Sequence, residues 1–143
     1  NQAGGAFGSA MALSEGQLLV GAPGDDSGTG SATLFEVDGD SFTQAQVLRP
    51  VGSSGGFGSA VSISGKVAVV GAPGEDAIYV FQSAAGEFAQ IGKITGPAGS
   101  GFGSAVAVSG TRAGVGAPEA MSGTGAASYR LSDDDLVFQA DFE

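Results

Sequence analysis

Residues Phe57-Gly-Ser-Ala-Val-Ser-Ile-Ser-Gly-Lys-Val-Ala-Val-Val-Gly-Ala-Pro73 decide the fold, because the same pattern stands twice more in the chain, from Phe7 to Pro23 and from Phe102 to Pro118. In each copy Phe-Gly-Ser-Ala opens the unit and Gly-Ala-Pro follows. The two landmarks lie fourteen positions apart every time: Phe7 to Gly21, Phe57 to Gly71, Phe102 to Gly116. Self-similarity at a long period outranks local propensity, because each repeat is one supersecondary unit that buries its apolar face only against a neighbour. Successive units start fifty and then forty-five residues apart, a length that holds four short strands with their turns.

Within a unit the strands can be placed in order. Phe7-Gly-Ser-Ala-Met-Ala-Leu-Ser14 keeps Gly8, Ala10 and Ala12 small, which suits an innermost strand where units converge on an axis. Gln17-Leu-Leu-Val-Gly-Ala-Pro23 is a continuous apolar run, the pattern of a strand covered on both faces. Gly24-Asp-Asp-Ser-Gly-Thr-Gly30 reads as a loop, Ser31-Ala-Thr-Leu-Phe-Glu-Val37 as the third strand, and Asp38-Gly-Asp40 as a hairpin turn. The fourth strand, Phe42-Thr-Gln-Ala-Gln-Val-Leu-Arg49, alternates only loosely, as an outer strand with one wet side does. In the second unit Ala77-Ile-Tyr-Val-Phe81 and residues Glu87 to Thr95 take the third and fourth places. The third unit diverges most: Arg112-Ala-Gly-Val-Gly replaces the bulky second strand, Glu119 stands where the other units have Gly24 and Gly74, and Asp135 to Phe142 would close the blade.

The paired landmarks resemble the FG-GAP repeat of integrin α-subunit propellers and of bacterial secreted and surface proteins. Gly21-Ala-Pro-Gly-Asp-Asp26 and Gly71-Ala-Pro-Gly-Glu-Asp76 match the bacterial version, and the aromatic strands Leu34-Phe35 and Tyr79-Val-Phe81 follow where that version places them. The resemblance implies an all-β chain of three four-stranded propeller blades, which by blade count are half of a six-bladed β-propeller. The chain then divides as one repeat domain, 1–143, with blade 1 at about 7–50, blade 2 at about 57–95 and blade 3 at about 102–142. Phe7, Phe57 and Phe102 are expected at equivalent buried sites, each Gly-Ala-Pro closing the second strand of its blade. Integrin-type members carry a calcium loop of Asp-x-Asp-x-Asp-Gly type between the first two strands. Here those hairpins are Ser14-Glu-Gly16, Ser64-Gly65 and Ser109-Gly110, without the oxygen ligands, so that metal site is not implied for this chain.

Composition narrows the function classes. The chain has 143 residues with a formal net charge of −10, and its 42% hydrophobic residues suffice for a core. An acidic surface with five scattered Lys and Arg disfavours nucleic-acid phosphates and anionic membranes as partners. Gly at 27 positions without a three-residue period indicates tight turns rather than collagen. There is no Cys for a disulfide framework or thiolate zinc site, and no His for general-base work. No apolar run reaches the roughly 18 residues of a membrane helix. The start at Asn1 reads as a processed product or excised segment, and the expected setting is extracellular or the cell surface after removal of an export signal.

Four acids, Asp25, Asp26, Glu75 and Asp76, follow the first two Gly-Ala-Pro landmarks and are the candidate metal residues, with calcium as the cofactor they would take. A hard cation needs six or more oxygens, and the competing reading is a solvated turn in which Asp bonds its own backbone. No catalytic or cofactor-binding residue is expected. Gly52-Ser-Ser-Gly-Gly56 satisfies the nucleophile-elbow spacing, but it lies in a linker, and a chain without His completes no Ser-His-Asp triad. Adjacent acids such as Asp133/Asp134 do not oppose each other across a cleft as glycosidase carboxylates must. Without Trp, and with Tyr only at 79 and 129, platforms for stacking a sugar are nearly absent.

Three blades do not close a ring, since propellers close with about four to eight. Two copies would make six, and a two-fold dimer is the commonest assembly. The competing readings are an open head-to-tail fibre and the remaining blades of a longer chain. The function expected is therefore a non-enzymatic, structural or adhesive interaction module that self-associates. The alternatives are a lectin-like propeller for glycan or calcium-bridged partners, including a surface protein, and an accessory domain of a larger secreted protein.

Overall fold

Two-residue turns and β-branched runs build the strands. In the computed structural model, which describes residues 5–51, 55–110 and 112–118 together with the backbone of 126–130 and 141–142, β1 (Ala10–Ser14) turns through Glu15 and Gly16, both at positive φ, into β2 (Gln17–Ala22). Positive φ at both central residues gives the turn whose twist matches the strands it joins. A one-turn helix, α1 (Asp25–Gly28), leads to β3 (Ser31–Asp38), and the Gly39-Asp40 turn leads to β4 (Ser41–Leu48). The stretch 24–30 is thus partly helical, not a plain loop.

The second unit repeats the plan. β5 (Ala60–Ser64) and β6 (Val67–Ala72) precede a 3-10 turn at Pro73–Glu75, and β7 (Ala77–Ala84) and β8 (Glu87–Thr95) complete it. In the third, β9 (Ala105–Ser109), β10 (Arg112–Gly116), β11 (Ala126–Arg130) and β12 (Asp141–Phe142) pair in the same order. Each unit is one antiparallel four-stranded sheet with strands in sequence order. The protein is all-β, three propeller blades, with no helix longer than four residues among those described. The residues Asp133, Asp134, Glu119 and 52–54, the last including the serines of the elbow-like stretch, lie outside the described residues.

The blades stack so that β5 packs on β1 and β2, and β9 on β5 and β6. Alternate side chains of a strand point to opposite faces, so every blade has a leading face toward the preceding blade and a trailing face toward the next. Between blades 1 and 2, Leu19, Leu34 and Leu48 meet Phe57, Val70 and Tyr79; between blades 2 and 3, Val69, Ile78 and Val80 meet Phe102 and Val115. Phe57 and Phe102 are fully buried, whereas Phe7 is 42% exposed, which corrects the expectation of three equivalent sites. The cause is the neighbour. Phe57 forms a parallel bridge with Gly30 of blade 1 and lies edge-on to Tyr79 and Phe81, while the ring of Phe7 meets one described ring, that of Phe35, edge-on at 6.2 Å.

Candidate functional site

The acids after Gly-Ala-Pro are placed by the turns that sequence reasoning singled out, but their bonds run farther than a self-bonded Asp turn. Asp25 is buried at the start of α1, accepts a bond from the Ser31 hydroxyl at 2.8 Å, and lies 3.6 Å from the Arg49 guanidinium. Asp26 joins the same turn through its backbone; its side chain lies outside the described residues. Asp76 sits in the left-handed region at φ 54° and accepts backbone N–H bonds from Gly99 at 2.8 Å and Gly101 at 2.7 Å. It therefore clamps the linker that leads into Phe102. Glu75 accepts the Tyr79 hydroxyl and the Lys93 ammonium.

Lys93 also lies 5.2 Å from the centroid of the Tyr79 ring. Burial works against its charge, but hydrogen bonds to Tyr79 and Glu75, with the coulombic pull of both, outweigh that and raise its pKa above the ordinary 10.5. Each of Asp25, Glu75 and Asp76 thus bonds to structural groups, and no cluster of three metal-ligating side chains occurs among the described residues. Asp25 and Asp26 belong to blade 1, Glu75 and Asp76 to blade 2, and the described contacts bring no two carboxylates together.

The feature that stands out instead is the leading face of blade 1. The strand registers align Phe7 with Phe57, Met11 with Val61, Leu13 with Ile63, and Phe42 with Phe88. In blade 2 these positions are 0%, 8%, 5% and 4% exposed; in blade 1 they are 42%, 64%, 68% and 60%. The same apolar face that blade 2 buries against blade 1 is thus open on blade 1. Phe7, Met11, Leu18, Val20, Phe35 and Phe42 line a groove of about 280 Å³ on it. Exposed contiguous apolar surface of this kind marks an interaction site.

Comparison with known proteins agrees with this architecture. Residues 50–87 match the model of the FG-GAP repeat. That match falls on the second unit. Units one and three carry its landmarks in the same register. Among solved structures, the chain is similar to a europium-containing methanol dehydrogenase, with a TM-score of 0.58 at 10% identity, over 95% of this chain and 26% of that one. That likeness is one of fold, and this chain spans about a quarter of the enzyme's length. No curated protein matches it in sequence. No helix among the described residues is long and apolar enough to cross a membrane.

Sequence reasoning placed the apolar strands without showing which face would stay open. Leu13 and Ile63 occupy the same repeat position and are both aliphatic; only the presence of a preceding blade separates them. Among the described residues, blade 2 has a blade on its leading side and blade 1 has none.

Proposed function

We propose that this chain is a non-enzymatic interaction module, structural or adhesive, which works at the cell surface or outside the cell by presenting an apolar blade flank to a partner. The observation that carries this reading is the leading face of blade 1, open at positions whose counterparts in blade 2 are buried. A non-catalytic role is supported by residue chemistry. The chain has no His or Cys, and the carboxylates Asp25, Glu75 and Asp76 are engaged in holding a turn, a tyrosine and a linker. The FG-GAP match supports the extracellular setting.

The test compares adhesion of beads coated with the wild-type chain and with a Leu13→Lys/Phe42→Lys variant, alongside a glycan array read with and without EDTA. Wild-type beads should cluster or adhere, variant beads should not, and the array should stay blank in both conditions. Equal adhesion by the variant overturns the reading. Binding to one glycan class that EDTA removes turns it into the calcium-dependent lectin instead.

A further inference from the structure

Neighbouring blades are joined by two devices that recur at both internal interfaces. The first is a glycine seat. A side chain added at Gly21 would overlap the carbonyl of Gly58, and one added at Gly71 would overlap the carbonyl of Gly103. The last glycine of β2 or β6 therefore receives the backbone of the next blade's Phe-Gly. The second is a hydroxyl clasp at the inner hairpins. The N–H of Gly65 donates to the Ser14 hydroxyl at 3.4 Å, and the N–H of Gly110 donates to the Ser64 hydroxyl at 3.1 Å.

Blades 1 and 3 carry the complementary halves of both devices. For Gly116, the counterpart of Gly21 and Gly71, the three nearest described atoms to an added side chain all belong to Ala105 of its own blade, none closer than 3.3 Å. Gly8, the counterpart of Gly58 and Gly103, meets no described atom within 4 Å, yet it holds φ +92° beside their +102° and +96°. Its N–H bonds the Gly21 carbonyl at 3.0 Å, as Gly103 bonds Gly116 at 3.0 Å. Blade 1 thus has the shape of a docked blade before anything docks on it. For the clasp, Ser109 is exposed at the end of β9, and the register puts the N–H of Glu15 where Gly65 and Gly110 have theirs.

We infer that the leading flank of blade 1 takes the trailing flank of blade 3 of a second copy, Gly8 over Gly116 and Glu15 against Ser109, so that two copies close a six-bladed ring. The inference rests on the flank reading above and names its partner. Bulk supports it: the leading face offers Phe7, Met11 and Phe42, while the trailing face of blade 3 offers Ala105, Ala107 and Gly114, the last with nothing described within 4 Å of an added side chain. The contact joins unlike faces, and a ring of six lies within the range propellers close.

The test is light scattering on the chain Asn1–Glu143, with binding of the apolar dye anilinonaphthalene sulfonate. Wild type should have the mass of two 13.8 kDa chains, independent of concentration, and bind little dye. Gly116→Ala adds a methyl whose three nearest described atoms all belong to Ala105, the closest at 3.3 Å, but it would overlap the incoming Gly8 carbonyl. It should keep the wild-type far-UV spectrum, fall to one chain and bind dye. Leu13→Lys/Phe42→Lys, altered only at exposed positions, should also be one chain, and mixed with Gly116→Ala should form pairs, since each retains the end the other lacks. Gly116→Ala with the mass of two chains overturns the inference, as does a wild-type mass that climbs with concentration. A single-chain wild type also overturns it: with dye bound, the flank still serves another partner, and without dye the flank reading falls as well.

Discussion

Phe7 and Phe57 show what a residue gains from its place in the array rather than from its own identity. Both follow the same landmark, but Phe57 is fully buried and Phe7 is 42% exposed. Large-to-small changes cost the lost transfer energy plus the cavity left behind. Phe57→Ala should therefore lower stability by about 3–5 kcal/mol in chemical denaturation, with Phe7→Ala well below that in the single-chain Gly116→Ala background; equal costs would contradict the burial difference. Lys93 gives a second residue-scale expectation, with a sign. Its proton is held more tightly in the folded chain, where hydrogen bonds to Tyr79 and Glu75 outweigh burial. The unfolded chain releases that proton first as pH rises. Its stabilisation is full below about 10.5 and disappears as pH climbs through the higher folded value. The melting temperature of wild type should thus fall more steeply above pH 10.5 than that of Lys93→Met; parallel curves would remove the role assigned to Lys93.

At the scale of the element, the linkers rather than the strands hold the information that the sequence hid. The strands were legible because Val- and Ile-rich runs between Gly-containing turns leave little choice. The loose alternation of Phe42 to Arg49 has a definite cause. A β-bulge falls between Leu34 and Phe35 and another between Val80 and Phe81, the same place in both blades. Ala45 and Ile91 are the unpaired extra residues, and each shifts the in-out period by one. Asp76 was legible as an acidic turn residue, but its partners Gly99 and Gly101 lie 23 and 25 positions away, beyond what a local turn pattern records. Asp76→Ala should cost about 1.5–3 kcal/mol, the range for losing bonds to a charged group, and should speed amide exchange at Gly99 and Gly101. Asp76→Asn keeps an acceptor and a residue type that tolerates the left-handed region, and should cost less. Unchanged exchange at both glycines in Asp76→Ala would show that the linker is held by something else.

For the whole molecule, stability in a repeat array is approximately a sum of intrinsic blade terms and nearest-neighbour interface terms. Blade 2 has an interface on each side, built from Leu19, Leu34 and Tyr79 on one and Val69, Val80 and Phe102 on the other. Among the described residues, blade 1 has no blade on its leading face and blade 3 none on its trailing face. A single chain should therefore open from its ends, because losing an outer blade breaks one interface while opening the middle blade breaks two. Native-state hydrogen exchange on Gly116→Ala should show the slowest amides in β5, β6 and β7, with β1, β2 and β9 exchanging through cheaper local openings. Closing the ring removes the distinction, since every blade then has two neighbours. In wild type the amides of β1 and β2 should slow until they approach those of β6. If the exchange order is the same in wild type and Gly116→Ala, the flank of blade 1 carries no interface in solution. If β1 alone remains fast in wild type, blade 1 is covered at its outer strands and not at the glycine seat.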